Sequence, residues 1–272
     1  MARRRKIFRG LTGILLFAVA VSCKNCNADG FEISYKPFEV DEHTVALWHF
    51  DEGEGVFAKD ATGRFVLFLQ GENPWGEKGI FGKCLDLNGK DEFGYIEFPQ
   101  QIGKEKALNL TGVFTMEAWI NPRSLPEGKW GVNQIAGRIQ GDILDSRAYS
   151  LNILNATPLE GVQKQELRLF VSSDGSAQPW DGVSGYATVN SKTVLQKNRW
   201  THVAAVFEPG KSMRVYINGE LAGERKGEDA VPNTVFPGRA FFTVGAGYLQ
   251  NKIGYPFDGL IDELRISDIA RY

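Results

Sequence analysis

The chain has 272 residues, of which 43% are apolar and 12% aromatic, and it carries 31 basic and 33 acidic side chains. This composition excludes a disordered chain, which would combine few aromatic residues with a high net charge. Three cysteines are too few for a disulfide scaffold, and the length suits one large or two small domains.

The amino terminus has the two parts of an export signal. Five basic residues lie within residues 2–9, and a mainly apolar run follows at 11–21. A bilayer span needs about 20 apolar residues, so this run is short for a membrane helix and typical of the apolar part of a signal peptide. We therefore expect residues 1–22 to be a signal peptide, with a short uncleaved anchor as the alternative.

Two cleavage sites are compatible with this signal. The segment Ala20-Val21-Ser22-Cys23 resembles the lipobox of bacterial lipoproteins, in which small residues precede a cysteine that becomes acylated. Cys23 would then anchor the mature chain to a bacterial membrane, and residues 23–40 would form a tether. A small-residue site that ends at Ala28 would instead release a secreted protein. We favour the lipoprotein, and both sites predict export.

Removal of the signal peptide would leave an acidic chain. It takes away five basic residues and no acidic one, so the balance becomes 26 minus 33, or −7. Nucleic-acid binding depends on a clustered excess of Lys and Arg. The sequence therefore argues against a nucleic-acid partner, and it predicts membrane contact only through the lipid anchor.

From residue 41 onward the sequence predicts one all-β domain, 41–272. Short period-2 or apolar runs are separated by turn residues, and no long stretch has helical periodicity. Asn218-Gly219 separates two such runs and predicts a two-residue hairpin, because both residues tolerate positive φ. The predicted strands include 45–50, 95–98, 114–121, 149–154, 166–172, 200–207, 213–218, 240–244 and 260–266.

Two of these runs predict which faces are buried. In the run 114–121 every second residue is apolar, and the residues between them are mostly polar. The apolar side is therefore expected to face the core. The core side comprises Phe114, Met116, Ala118 and Ile120. The run 200–207 is partly apolar on both sides, which predicts a central strand that is covered on both faces.

Several segments together carry a family resemblance over roughly residues 43–272. They are ALWHFDEGEG (46–55), DATG (60–63), FGKCLDLNG (81–89), FTMEAWINP (114–122), RWTHVAAVF (199–207), VYING (215–219) and FDGLIDELRI (257–266). In order and spacing they resemble the laminin-G-like, concanavalin A-like lectin/glucanase domains of bacterial secreted proteins. The resemblance implies an antiparallel β-sandwich, a jelly roll of two curved sheets. That fold hosts lectins, adhesion modules, glycosidases and lyases, so it leaves the function open.

Four polar residues of the predicted strands could share one sheet face if their strands are neighbours. They would form either a ligand surface with an acid–base pair, or a charge network that holds the sheet together. We favour the network, because structural ion pairs often imitate active sites. The four residues are Glu117, His202, Glu263 and Arg265. The adjacent acids Asp262 and Glu263 are expected to point to opposite faces.

A glycoside hydrolase or polysaccharide lyase is one alternative to a binding module. Glycosidases need two carboxylates at a defined separation. The laminarinase-type relatives place them in a Glu-x-Asp-x-x-Glu strand, which this sequence lacks. Jelly-roll alginate lyases carry a Gln-x-His strand, where this chain has Gln134-Ile135-Ala136. We therefore expect no catalytic residues.

The resemblance also implies a structural calcium ion. Relatives hold it between an early Asp, a glycine-rich turn and a late Asp, and the matching residues here are Asp51, Asp60, Gly63 and Asp262. Calcium prefers hard oxygen ligands of this kind. The alternative is that these residues only cap turns in a metal-free domain.

Sugar binding needs flat aromatic faces with polar side chains beside them, and two predicted loops offer both. The alternative is that each aromatic ring packs beneath its own loop. The candidate ligand-binding residues are Trp180 and Asp181 in the first loop, and Tyr248, Asn251 and Tyr255 in the second. The sequence thus predicts a non-catalytic binding module at the cell surface, with a glycan as the favoured ligand and a surface protein as the alternative.

Overall fold

The computed structural model describes residues 36–96, 108–128, 131–139, 147–155, 165–176, 185–237, 240–249 and 252–272. These residues belong to one compact unit, Ile33–Tyr272. The predicted signal peptide, Cys23 and most of the predicted tether lie outside the described residues. Within the described ranges, no helix is long and apolar enough to cross a membrane.

The described residues form eighteen β-strands. In chain order they are β1 Thr44–Trp48, β2 Phe57–Lys59, β3 Val66–Gln70, β4 Trp75–Gly76, β5 Cys84–Asn88, β6 Phe93–Ile96, β7 Phe114–Pro122, β8 Val132–Ile139, β9 Arg147–Asn155, β10 Gln165–Ser172, β11 Tyr186–Val194, β12 Thr201–Glu208, β13 Ser212–Ile217, β14 Glu220–Lys226, β15 Phe242–Val244, β16 Gly247–Leu249, β17 Lys252–Gly254 and β18 Asp258–Ser267.

Two antiparallel sheets of eight strands face each other. The front sheet has the order β14-β13-β12-β7-β18-β5-β4, with β1 also paired to β18. The back sheet has the order β11-β10-β9-β8-β15-β6-β3-β2, and β16 and β17 form a separate hairpin. The predicted all-β sandwich is therefore confirmed. Asn218 and Gly219 have φ values of 51° and 79° between β13 and β14, which confirms the predicted two-residue hairpin.

A single hydrophobic core fills the space between the sheets. The inward residues predicted for β7 are all fully buried in it, and strands β9 and β10 supply the opposite wall. Trp48 of the front sheet stacks on Phe242 of the back sheet, with ring centroids 5.7 Å apart and planes at 14°. Each large apolar side chain buried in this way contributes about 1.5–3 kcal/mol to stability. This core fixes the two sheets against each other.

The outer face of the front sheet is covered by other parts of the same chain. Phe38 packs there with Leu47 and Trp119, and Tyr272 packs on a second cluster that includes Tyr216. Residues 36–40, which the sequence places in a tether, therefore lie on the sheet because Phe38 finds an apolar surface there. Strand β12 is covered on both faces, as predicted.

Candidate ligand-binding site on the back sheet

The outer face of the back sheet carries residues in register from one edge of the sheet to the other. Alternate residues of a strand share a face, and the core residues Leu67, Leu151 and Leu169 occupy the opposite face. The row comprises Phe57, Phe68, Tyr95, Thr243, Gly137, Ser150, Phe170 and Thr188. The rings of Phe57 and Phe68 are 5.1 Å apart, and those of Phe68 and Tyr95 are 5.8 Å apart. One half of this face is therefore aromatic.

The other half is polar and is linked by a directed chain of hydrogen bonds. Arg168 Nε donates to Asn152 Oδ1 at 2.9 Å, and Asn152 Nδ2 donates to Ser150 Oγ at 2.8 Å. Ser150 Oγ donates to Gln134 Oε1 at 3.2 Å, and Gln134 Nε2 donates to Thr243 Oγ1 at 2.9 Å. Four strands, β10, β9, β8 and β15, supply these residues, so the register of the sheet brings them together.

Most of this polar chain is buried. Gln134, Ser150, Asn152 and Thr243 are each no more than 1% exposed. Buried polar groups cost free energy unless they are hydrogen-bonded, and a fully bonded network is rigid. The chain of bonds therefore holds Arg168, at its outer end, in one position.

Arg168 is the one charged residue in this series of hydrogen bonds, and it is half-buried. Its Nε is bonded to Asn152, whereas its two terminal nitrogens have no hydrogen-bond or ion-pair partner among the described residues. Burial lowers the pKa of Arg168 to about 10, against the smaller opposing effects of Tyr255 and Tyr186. The side chain is therefore still a cation at neutral pH.

Aromatic side chains lie in the neighbourhood of Arg168, and two of them, Tyr255 and Tyr186, influence its pKa. Phe170 and Tyr186 stack with centroids 5.3 Å apart and planes at 24°. Tyr255 follows β17 with a φ of 56°, and its carbonyl oxygen accepts a bond from Gln134 N at 2.8 Å. A Cβ atom at Gly247 would lie 3.0 Å from Tyr255 Cδ2, so a larger residue there would push the Tyr255 ring by a few tenths of an ångström. The β16–β17 hairpin thus brings Tyr255 against the polar chain.

A cleft of about 530 Å³ is not lined by Arg168, Tyr186 or Tyr255 themselves. Asn133 and Pro256, the chain neighbours of Gln134 and Tyr255, line it together with Lys90, Glu127 and Asp258.

The residues predicted from the aromatic loops are placed only in part. Tyr255 is at the site, and the backbone of Tyr248 pairs with Ile253 in the β16–β17 hairpin. Trp180, Asp181 and Asn251 lie outside the described residues. The hydrogen-bonded residues Gln134, Asn152 and Arg168 were not predicted from the sequence. The available signal was two short alternations of polar and apolar residues, Ser-Leu-Asn-Ile at 150–153 and Glu-Leu-Arg-Leu at 166–169.

The predicted cluster on the front sheet forms with three of its four members. Buried Glu117 accepts a bond from Arg265 Nε at 2.8 Å and lies 3.3 Å from His202 Nε2, and the Tyr272 hydroxyl also donates to it. Phe38 covers the group, with its ring 4.1 Å from the Arg265 guanidinium carbon. Phe38 and Tyr272, two residues of the same polypeptide, cover this face of the front sheet. The cluster is therefore a charge network that holds the sheet together, as favoured from the sequence.

Glu263 joins a different group of contacts. Its carboxylate accepts a bond from Phe38 N at 2.6 Å and lies 2.7 Å from His49 Nδ1, while Asp262 Oδ2 accepts one from Phe81 N at 3.0 Å. The expectation that Asp262 and Glu263 point to opposite faces is wrong. A bulge in β18 gives Glu263 a φ of 50° and breaks the alternation, so both carboxylates bond segments that pack on the front sheet.

The residues predicted for calcium divide into two groups. Asp60 accepts bonds from the backbone nitrogens of Leu47, Thr62, Arg64 and Phe65, two on each oxygen, so it does not fit as a calcium ligand. Gly63 N closes the same turn by donating to Asp60 O at 2.8 Å.

Asp51 and Asp262 instead bracket the turn 79–83. Asp51 Oδ1 accepts a bond from Lys83 N at 2.8 Å, and Asp262 bonds Phe81 N two residues earlier. Burial, with the charge of Glu263, raises the pKa of Asp262 to about 7, although its backbone bonds oppose the shift. A cation beside these two carboxylates would offset the free-energy cost of keeping buried Asp262 ionised. Within the described ranges, no group of three or more His, Cys, Asp or Glu side chains is arranged to hold a metal ion.

Comparisons with known proteins agree with the fold. The arabinotriose complex of domain 4 of an extracellular arabinanase from Geobacillus stearothermophilus matches with 19% identity and a TM-score of 0.52, covering 83% of this chain and 92% of that one. The CBM40 of the Ruminococcus gnavus IT-sialidase, bound to α2,3-sialyllactose, matches with 14% identity and a TM-score of 0.50, covering 76% and 92%. At such identities the likeness shows the fold alone.

The binding domain of botulinum neurotoxin DC, solved in complex with SialylT, is similar over a longer stretch of this chain. It matches with 14% identity and a TM-score of 0.55, covering 85% of this chain but only 49% of the toxin domain. A comparison with curated protein sequences finds no match.

The two-sheet topology and the buried core define a jelly-roll β-sandwich. The sequence profile of the concanavalin A-like lectin/glucanases superfamily matches residues 90–272. The chain therefore belongs to this superfamily, and the resemblance seen in the sequence is confirmed.

Proposed function

We propose that the protein is a non-catalytic carbohydrate-binding module whose ligand lies on the outer face of the back sheet around Arg168. The observation that carries the proposal is the hydrogen-bonded chain from Thr243 to Arg168, flanked by the Phe170–Tyr186 stack and Tyr255. The residues of this group that a sugar can reach are Arg168, Tyr186 and Tyr255, because the others are buried. A sugar hydroxyl can bond the guanidinium group, and the apolar face of the sugar ring can pack on an aromatic ring. The arabinanase domain and the CBM40, which share the fold, were both solved with oligosaccharides.

The composition of the site favours binding over bond cleavage. Strands β8–β11 contain one acidic residue, Glu166, and no histidine. Glycoside hydrolysis in most families needs a pair of carboxylates across the scissile bond. The same strands therefore supply at most one of the two groups that a hydrolase would use.

Truncating Tyr255 tests the proposed site. Y255A is expected to weaken binding to the best ligand of a glycan array by about tenfold, since it removes one aromatic contact. W200A removes a half-buried aromatic ring that packs on the Phe38 cluster outside the front sheet, and it should leave the affinity within about twofold of wild type. Isothermal titration measures both, and thermal melting checks that each variant is folded. Equal affinities of Y255A and wild type would place the ligand elsewhere, and no binding on the array would refute a glycan ligand.

We keep structural calcium as a further proposal, restricted to Asp51 and Asp262. Calcium is expected to raise the melting temperature of the protein and a chelator to reverse the rise, because a ligand of the folded state stabilises it by mass action. D51N should remove the response. A melting temperature that is the same with calcium and with chelator would refute calcium binding.

We also propose that the module is exported and held at the cell surface through acylated Cys23. The alternative is release after Ala28. The intact mass of the mature protein separates the two, because only the first carries lipid on its first residue.

A further inference from the structure

None of the described residues forms an ion pair with Arg168. Strands β8–β11 hold a single acid, Glu166, and its carboxylate accepts a bond from Asn190 Nδ2 at 3.0 Å instead. A half-buried cation without an anion costs free energy, so a protein seldom keeps one without a use for it.

The free end of Arg168 has the shape of a carboxylate receptor. Arg168 Nε donates to Asn152, and this leaves the two terminal nitrogens as a coplanar pair of donors. Such a pair matches the two oxygens of a planar carboxylate and bonds both at once. An ordinary sugar hydroxyl would use only one of the two donors.

The position of this donor pair is set before any ligand binds. The hydrogen-bonded chain through Asn152, Ser150 and Gln134 is anchored on Thr243, and these four residues are buried. Little conformational entropy of the guanidinium group is therefore lost when a ligand binds. A single charged contact can then contribute more to the affinity.

The surroundings indicate that the anion belongs to a sugar. The half-buried ring of Tyr186, backed by buried Phe170, offers a flat apolar surface, and half-buried Tyr255 lies against Gln134. One cation suits one carboxylate at a time, whereas a densely sulfated chain would need several. The mature charge balance of 26 minus 33 also disfavours such polyanions.

We propose that the ligand is an acidic glycan, and that Arg168 binds the carboxylate of a uronate or another carboxylated sugar end-on through its two terminal nitrogens. This inference rests on the proposed function and specifies its ligand class. The carboxylate can come from a uronate within a chain or from a terminal carboxylated sugar, and the chemistry recognised is the same.

Paired oligosaccharides test the inference by isothermal titration. Trigalacturonate is compared with α-1,4-linked galactotriose, and 3′-sialyllactose with its neutral methyl ester, so that each pair differs at the carboxylate and the two pairs separate internal from terminal sources. The carboxylated member of at least one pair should bind wild type at least tenfold more tightly than its neutral partner. R168Q should remove that preference, and R168K, which keeps the charge without the fork, should restore it only in part.

The matched control is K192Q, which removes one positive charge from an exposed position of β11 and should change each affinity less than twofold. Thermal melting confirms that R168Q and R168K are folded. Equal binding of neutral and carboxylated sugars, or a carboxylate preference that survives in R168Q, would overturn the inference and leave the proposed function standing. Failure of wild type to bind any of the four sugars or any glycan of an array would overturn both.

Discussion

Glutamine in place of Glu117 is expected to lower the free energy of unfolding by about 3–5 kcal/mol, the usual cost of breaking a buried ion pair from one side. Glu117 is fully buried and receives bonds from Arg265, His202 and Tyr272. Glutamine has nearly the same shape but no charge, and its NH₂ group would face donors. Arg265, covered by the ring of Phe38, would be left without an anion. Urea unfolding followed by tryptophan fluorescence measures the loss.

An exposed ion pair provides the control for this substitution. Lys226 and Glu224 are 2.9 Å apart on β14, and the Lys226 side chain is 69% exposed. E224Q should cost less than about 1 kcal/mol, because solvent screens such pairs. A loss for E117Q no larger than that for E224Q would contradict a stabilising network. Folded E117Q should also bind sugar as wild type does, because the network lies on the opposite sheet.

The parts of the fold that the sequence predicts are those with a long alternating pattern. Strand β7 alternates over nine residues, and its inward set is the one found in the core. Among the strands missed, β2 and β17 have three residues each and β4 has two. A period of two cannot be detected in two or three residues, and only pairing with neighbours makes these segments strands. The longer β8 and β11, of eight and nine residues, were missed as well.

The site could be predicted only in part, because sheet register decides which side chains meet. Arg168 and Asn152 are 16 residues apart, and Gln134 and Thr243 are 109 apart. A bulge after Gln134 and another at Glu263 shift the faces in ways that no alternation pattern indicates. Tyr255 could be singled out because an aromatic residue in a predicted loop is visible in the sequence itself.

Acid is expected to remove the contribution of Glu117 between about pH 5 and pH 2. Burial alone would raise the pKa of Glu117, but the bond to His202 and the charge of Arg265 lower it from 4.5 to about 2. Between these values the unfolded chain binds the proton and the folded protein does not, so stability falls as the pH falls. The loss from this one carboxyl group is at most about 3–4 kcal/mol, at roughly 1.4 kcal/mol per pKa unit.

The difference between wild type and E117Q isolates this effect from the other acids. Asp41 also has a lowered pKa, chiefly through its hydrogen bond with Arg271, and it titrates alike in both proteins. The difference in unfolding free energy should be largest above pH 5 and should shrink toward pH 2, because protonated Glu117 also leaves Arg265 without an anion. Parallel stability curves from pH 6 to pH 3 would mean that Glu117 is already uncharged in the folded protein. Convergence would show that the carboxylate charge is what ties β7 to β18 beneath Phe38.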